Sequence, residues 1–149
     1  MRIFDICTRR VIGITPTSSV AEAALAMAHH QVGAVVVMEQ CDGRDIPLGI
    51  LTDRDIALAV VAEHRDPVRV PVAEVMSCSI VTCRDDADLV TVSRMMRGRG
   101  ARRLPVMNAR EQLVGLVTAH DVLNALSEEL CALTRTWVDE SRDPASNSK

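Results

Sequence analysis

The sequence predicts a mixed α/β (α+β) fold in which two β-α-β-β-α repeats pack against each other about a pseudo-twofold axis. The first observation behind this prediction is an internal duplication: residues 27–38 align with residues 96–107 at a constant offset of 69 (27 to 96, 38 to 107). The second is that strand-like and helix-like apolar patterns follow one another in the same order in both halves. Neither half is large enough to bury its apolar face alone, so we expect the two to share a core.

The elements of each repeat follow from periodicity and length. Short apolar runs predict an opening strand at residues 11–14 and again at residues 80–82. Apolar residues at helical spacing then predict a helix that starts near Val20 in the first copy and near Leu89 in the second. The remaining predicted elements are a strand pair at 35–38 with 48–51 and at 104–107 with 113–117, and a closing helix at about 53–63 and about 119–133.

These patterns divide the chain into four segments. They are a first repeat at residues 3–66, a linker at 67–74, a second repeat at 75–132, and a final segment at 133–149. The final segment is expected to extend the last helix and then to end in a disordered tail, because its last residues are polar and include a proline.

The composition is that of a folded globular protein, with 48% hydrophobic and 25% charged residues. The formal net charge of -3 argues against a nucleic-acid-binding protein, which usually has an excess of basic residues. No apolar run approaches the roughly 18 residues that a membrane span needs. The chain has five cysteines without paired spacing, which favours reduced thiols and a cytoplasmic location.

The two repeats close on the same short string, at residues 49–55 and 115–121. It reads glycine, two aliphatic residues, threonine, any residue, a basic residue and aspartate. An ionised aspartate is an acceptor that can bind two neighbouring hydroxyls, and a threonine at a helix start lies beside free backbone N–H groups that favour a phosphate. The same spacing also fits a capping box for the second helix, and both interpretations stay open.

This string, in its order of elements, resembles the closing signature of the CBS domain. The resemblance covers residues 3–130 and includes the segments 5–7 and 74–76, the strand at 11–16 and the strand at 102–106. It implies a stand-alone, bacterial-type pair of CBS domains, known as a Bateman module. It also implies a cleft between the repeats that binds an adenine nucleotide (AMP, ADP or ATP), with the aspartate at the ribose hydroxyls and the threonine near ribose or phosphate.

The candidate ligand-binding residues follow from this resemblance copy by copy. In the second copy they are Thr118, Asp121, His120, Arg102, Arg103, Ile80, Val81 and Thr82. In the first copy they are Thr52, Asp55, Arg54, Ile12 and Gly13. Arg102 and Arg103 align with Gly33 and Ala34, so we expect the arginines to serve Thr118 and Asp121 and the second copy to bind more strongly. Arg97 and Arg99 add charge nearby.

The function predicted is that of a non-catalytic regulatory module, because no motif for a catalytic or metal site is present. The nucleotide is a regulatory ligand, not a cofactor, and NAD, S-adenosylmethionine or a cyclic dinucleotide remain open as alternatives. We expect a homodimer, an unidentified protein target, and no nucleic-acid or membrane partner. The first alternative is a structural dimerisation module with empty clefts. The second is a thiol sensor that would use Cys7, Cys41, Cys78, Cys83 or Cys131.

Overall fold

The computed structural model describes residues 1–140, with side chains as far as Arg135. The first half holds α1 (Ile3–Ile6), β1 (Gly13–Ile14), α2 (Val20–His30), β2 (Ala34–Cys41), β3 (Arg44–Thr52) and α3 (Asp53–Ile56), which continues as a π-helical turn at Ala57–Val61. The second half holds a 3-10 turn (Val72–Glu74), β4 (Cys83–Arg84), α4 (Leu89–Arg99), β5 (Arg103–Met107), β6 (Leu113–Thr118) and α5 (Ala119–Glu140). The predicted mixed α/β fold is confirmed. The predicted disordered tail lies outside the described residues.

Each repeat forms one three-stranded sheet. The two strands of its long hairpin are the central strand and one edge strand. The orders are β1-β2-β3 and β4-β5-β6, and in both the first pair is parallel and the second antiparallel. The hairpin between β2 and β3 turns at Asp42 and Gly43, whose φ angles are 50° and 74°. Two successive left-handed residues fit the twist of the flanking strands, which is why Asp-Gly suits a two-residue hairpin turn.

Pro105 accounts for the one strand whose position we predicted wrongly. Residues 80–82 are not part of a strand, and β4 begins at Cys83. In the first repeat Gly13 pairs with Val36, but the aligned pair, Thr82 with Pro105, is missing from the second ladder. Because proline has no N–H to donate, the second ladder starts one residue later, with Cys83 opposite Val106 and Arg84 opposite Met107.

Helices α2 and α4 start on residues that cap them. The Ser19 hydroxyl accepts from the Glu22 N–H at 3.2 Å, and the Asp88 carboxylate accepts from the Thr91 N–H at 2.8 Å. The bonds from Thr91 to Asp88 lower the pKa of that carboxyl. A negative charge at a helix N-terminus is also favoured by the helix dipole.

The segment ahead of each repeat packs on the other repeat. Ile3 of α1 is fully buried in the core of the second repeat, and Thr8 forms a bridge with Leu116 of β6. Before the second repeat, Val72 is buried in the core of the first, and Ser77 forms a bridge with Ile50 of β3. In the alignment of the two repeats Thr8 corresponds to Ser77, and Leu116 corresponds to Ile50. Each bridge is therefore the counterpart of the other, as a pseudo-twofold axis requires. The segment predicted as a linker, 67–74, therefore contributes to the core.

Gly49, the glycine of the first closing string, permits this close approach. A Cβ built on Gly49 would lie 2.6 Å from the Ser77 carbonyl oxygen. A Cβ on Gly115 would lie 2.6 Å from the Cys7 sulfur and 3.2 Å from the Thr8 carbonyl oxygen. Both strings therefore carry glycine where the crossing segment touches the sheet backbone.

The closing helices differ from each other more than the strands do. In the first repeat the helix runs from Asp53 to Val61 and changes from α to π geometry at Ala57, whereas the prediction was a helix to about residue 63. In the second repeat α5 reaches Glu140, so the predicted helical extension is present. None of the helices in the described region is long and apolar enough to cross a membrane.

Candidate functional site

A cavity of about 260 Å³ lies between the two repeats. Its walls come from β3 and α3 of the first repeat, from the chain leading into β4, and from the turn between α4 and β5. The lining residues are Ile50, Thr52, Asp55, Ser77, Ser79, Ile80, Val81, Arg99, Gly100, Ala101, Arg102 and Arg103. The closing string of one repeat therefore faces the opening segment and the helix-strand turn of the other.

Thr52 and Asp55 form the capping box of α3. Asp55 Oδ2 accepts from the Thr52 N–H at 2.9 Å and from its hydroxyl at 2.7 Å, and the Asp55 N–H donates to Thr52 Oγ1 at 3.2 Å. The other carboxylate oxygen, Oδ1, has no hydrogen bond within the described structure. Capping thus occupies one oxygen of Asp55 and leaves the other available to a ligand in the cavity.

Thr118 and Asp121 repeat this geometry at the start of α5. The two bonds accepted by Asp121 Oδ2 measure 2.8 Å each, and the Asp121 N–H donates to Thr118 Oγ1 at 3.2 Å. The capping interpretation is therefore confirmed for both copies, and it does not compete with ligand binding for the same atom.

Three arginines give the cavity a positive field. Arg99, Arg102 and Arg103 line it, and none of them forms an ion pair with any side chain that the structure describes. Asp55 is the one acidic residue among the lining residues. Guanidinium groups without carboxylate partners around a concave surface favour an anionic ligand, above all a phosphate.

The Val81 carbonyl is an unused acceptor at the apolar end of the cavity. In the first repeat the aligned residue, Ile12, accepts from the Val36 N–H at 2.9 Å. Val36 aligns with Pro105, which has no N–H, and no described backbone group donates to Val81. Ile50, Ile80 and Val81 provide half-buried aliphatic surface beside this acceptor.

The predicted grouping of the arginines needs correction for this cavity. We expected Arg102 and Arg103 to serve Thr118 and Asp121, yet they share the cavity with Thr52 and Asp55. Arg103 does stand opposite Thr118 in the β5–β6 ladder. The alignment of the repeats could not show that the cavity takes one wall from each repeat, because that depends on how the sheets face each other.

The other predicted site residues do not line this cavity. They are Thr118, Asp121, His120, Thr82, Arg54, Ile12 and Gly13. His120 is exposed, with Nε2 3.1 Å from the side-chain nitrogen of Asn124. Gly13 lines a different groove, against Met38, and Arg54 and Thr82 are exposed. Whether these residues bind a ligand elsewhere stays a prediction.

Several lining residues were not predicted as site residues. They are Ile50, Ser77, Ser79, Arg99, Gly100 and Ala101. Gly49 is the sequence signal that points to Ser77, since a glycine next to two aliphatic strand residues indicates a close backbone approach. Arg99 was noted only as nearby charge, and the left-handed Gly100, with φ 63°, explains how the chain turns back so that Arg99 and Arg102 border one cavity.

The two least exposed thiols do not favour a redox role. Burial raises the pKa of Cys83 to about 11, and burial also raises the pKa of Cys7. Both side chains are therefore protonated thiols at neutral pH, and a thiol is a poor nucleophile. The three exposed cysteines are Cys41, Cys78 and Cys131.

Comparison with known proteins identifies the family. The sequence profile of the CBS domain matches residues 3–62 and 72–128. The chain belongs to the CBS-domain family. It is a pair of CBS domains, as the sequence predicts, and the match takes in both capping boxes and the whole cavity lining.

Two relatives and one solved structure are similar to this CBS pair over most of its length. It is 39% identical to the CBS domain-containing protein YhcV of Bacillus subtilis, over 84% of this chain and 86% of that protein. It is 33% identical to protein MK0525 of Methanopyrus kandleri, over 80% of this chain but only 59% of that longer protein. The solved structure of ATU1752 from Agrobacterium tumefaciens has a TM-score of 0.71 at 30% identity, covering 84% of this chain and 98% of that one.

The CBS pair of protein MJ0100 was solved in complex with 5′-methylthioadenosine and S-adenosyl-L-methionine. It has a TM-score of 0.73 and covers 87% of this chain and 98% of its own, but it is 23% identical. At that identity the similarity shows a common fold.

Proposed function

We propose that this CBS pair is a non-catalytic regulatory module that binds an adenine nucleotide (AMP, ADP or ATP) in the cavity between its repeats. The observation that carries the proposal is the composition of the cavity, which combines a free carboxylate oxygen, three arginines without ion-pair partners and an unused carbonyl beside aliphatic side chains. Each group matches one part of a nucleotide. The ligand acts as a regulator of the module and not as a cofactor.

The base is assigned to the apolar end. Adenine is flat and apolar on its faces, so Ile50, Ile80 and Val81 can cover it. Its amino group is a donor that suits the free Val81 carbonyl, whereas guanine presents a carbonyl oxygen at the equivalent position and would meet another acceptor there. This contrast favours adenine over guanine.

The ribose and phosphates are assigned to the polar end. Asp55 Oδ1 can accept from the ribose hydroxyls while Oδ2 keeps the cap of α3 intact. Arg99, Arg102 and Arg103 supply guanidinium donors for the phosphate. A ligand bound in this way touches both repeats, so its binding energy would favour one relative arrangement of the repeats over others. That shift is the proposed regulatory signal to a protein target.

A second candidate function is a structural dimerisation module, and α5 favours it. Leu123, Leu126, Leu130 and Leu133 follow one another at intervals of three and four residues and are 42–64% exposed. Such a stripe on a helix is typical of a seam between helices. The two functions are compatible, and we propose a homodimer in either case. Five free thiols support a cytoplasmic location.

A thermal-shift panel tests nucleotide binding. A ligand at a hundredfold excess over its dissociation constant stabilises the folded state by about 2.7 kcal/mol. For a chain of this size we expect the melting temperature to rise by about 5–10 °C with AMP, ADP or ATP. S-adenosylmethionine and 5′-methylthioadenosine join the panel because the MJ0100 pair was solved with them.

GMP and inorganic triphosphate are the matched controls in this panel. GMP keeps the ribose and phosphate and changes the base, and triphosphate keeps only the charge. A shift with AMP that exceeds the shift with both controls supports the proposal. No shift with any adenine compound at millimolar concentration would leave the dimerisation module as the function.

A further inference from the structure

A groove of about 430 Å³ lies between α4 and α5 of the second repeat. Its lining residues are Leu89, Val90, Ser93, Arg94, Arg97 and Leu126. None of them lines the cavity between the repeats. Val90 is 57% exposed and Leu126 is 42% exposed, so the apolar surface of this groove is open to solvent.

The groove combines apolar surface with positive charge. Arg94 and Arg97 are three residues apart on α4, and this spacing places them on the same side of the helix. Neither forms an ion pair with a side chain that the structure describes, and no acidic residue lines the groove. Such a surface is complementary to an amphipathic segment that has carboxylates next to its apolar residues.

The far part of α5 is a segment of this kind. Ala125 is buried, whereas every residue from Leu126 to Arg135 is exposed, so about 15 Å of helix extends past the core of the repeat. Leu130 and Leu133 are 64% and 59% exposed and continue the leucine stripe. Glu128 and Glu129 precede Leu130, and among the described side chains neither has an ion-pair partner.

The chain cannot fill its own groove with this segment. Leu126 forms part of the groove wall, and α5 is one unbroken helix from Ala119 to Glu140. A continuous helix does not fold back on its own wall, so the segment reaches only the groove of another molecule. A second copy offers both surfaces at once, and two equivalent contacts about a twofold axis would fill both grooves.

We propose that α5 of a second copy occupies the groove, with Glu128 and Glu129 of one protomer against Arg94 and Arg97 of its partner. This inference rests on the proposed homodimer, whose interface it identifies, and is independent of nucleotide binding. Removal of the leucine stripe from water supplies the stabilisation. The opposite charges favour this pairing of α5 with the groove over other contacts between apolar helices.

Charge reversal tests the pairing by light scattering on the full chain. The groove variant combines Arg94→Glu with Arg97→Glu, and the helix variant combines Glu128→Arg with Glu129→Arg. In each variant alone, like charges meet at both contacts of the dimer. In an equimolar mixture of the two variants, opposite charges meet again at both contacts of the heterodimer. A chain that carries all four substitutions likewise restores both contacts in its homodimer.

The matched control combines Arg54→Glu with Arg110→Glu. It makes the same change in net charge as the groove variant, on two exposed arginines that do not line the groove. All the substituted side chains are exposed, so every variant is expected to keep the circular dichroism spectrum of the parent.

We expect the parent and the control to be dimers at tens of micromolar. Each reversal alone should raise the dissociation constant of the dimer at least a hundredfold and give a monomer, because like charges that meet at an interface are strongly unfavourable. The equimolar mixture and the four-substitution chain should be dimers again.

Three results would overturn this inference. If the groove variant stays dimeric, or if the mixture stays monomeric, the pairing of α5 with the groove is wrong, and the proposed homodimer needs another interface. If the parent is a monomer, both the inference and the homodimer are wrong. Nucleotide binding is tested separately by the thermal-shift panel and does not depend on any of these results.

Discussion

Asp55 has two carboxylate oxygens with two different surroundings. Oδ2 accepts both capping bonds from Thr52, and Oδ1 is left to the cavity. Asp121 has the same capping bonds but does not line the cavity that the arginines border. Comparing the two residues therefore tests helix capping and the proposed ligand contact separately within one chain.

Asp55→Ala is expected to weaken AMP binding by about ten- to a hundredfold, because it removes the acceptor proposed for the ribose hydroxyls. Asp121→Ala is expected to leave AMP binding within a few-fold of the parent. Both should lower the free energy of unfolding by about 0.5–2 kcal/mol through the lost cap. Calorimetry for binding and urea unfolding for stability measure the two effects separately.

The stability measurement is the control for this comparison. Equal losses in the free energy of unfolding would show that both substitutions disrupt equivalent caps. Equal losses of AMP affinity, or a larger loss in Asp121→Ala, would contradict the assignment of the ligand to the cavity at Asp55. The second outcome would restore the grouping that the repeat alignment suggested.

The contact between β3 and the segment before β4 depends on Gly49. A Cβ at this position would lie 2.6 Å from the Ser77 carbonyl oxygen, which belongs to a backbone and cannot rotate away. Gly49→Ala should therefore lower the free energy of unfolding by about 1–3 kcal/mol, the usual cost of forcing extra atoms into a packed site. Chemical denaturation with the parent alongside measures this.

Gly98→Ala is the matched substitution in a helix. A Cβ at Gly98 meets nothing within 4 Å, and alanine is the better helix former, so this variant should gain about 0.5–1 kcal/mol. A Gly49→Ala protein as stable as the parent would show that the bridge between Ile50 and Ser77 is not held as tightly as the structure has it.

The order of elements could be predicted from the sequence because each element carries a local signal. The aliphatic runs of β2 and β5, the Asp-Gly turn and the caps of α2 and α4 all act within a few residues of the chain. The start of β4 could not be predicted this way, because it depends on Pro105, more than twenty residues further along, whose missing N–H delays the start of the ladder by one residue.

The candidate site was predictable in its residue types but not in its grouping. The capping geometry of Thr52 and Asp55 follows from local spacing, and the structure has it as a capping box. That Arg102 and Arg103 border the cavity of Asp55 depends on how the two sheets face each other. An alignment of the two repeats shows which positions are equivalent. It does not show which residues of one repeat lie beside which residues of the other.

The exposed leucines of α5 predict self-association. Leu123, Leu126 and Leu130 lie on one stripe, and the groove beside Leu126 is also lined by Val90, which is 57% exposed. We expect a dimer by multi-angle light scattering at tens of micromolar, because a stripe of this length is favourably removed from water. The double substitution Leu126→Glu and Leu130→Glu should give a monomer.

Both leucines are exposed, so the double variant should keep the circular dichroism spectrum of the parent. Leu25 is 70% exposed on α2 and lies off this stripe, and Leu25→Glu serves as the control that should stay dimeric. A parent protein that elutes and scatters as a monomer of 16.2 kDa would contradict the prediction.

A crystal structure of the protein with AMP tests most directly whether an adenine nucleotide binds between the repeats. We expect electron density for the base against Ile80 and Val81, with the base amino group at the Val81 carbonyl. The ribose should lie at Asp55 Oδ1 and the phosphate among Arg99, Arg102 and Arg103. Density for AMP beside Thr118 and Asp121, with the cavity at Asp55 empty, would contradict it.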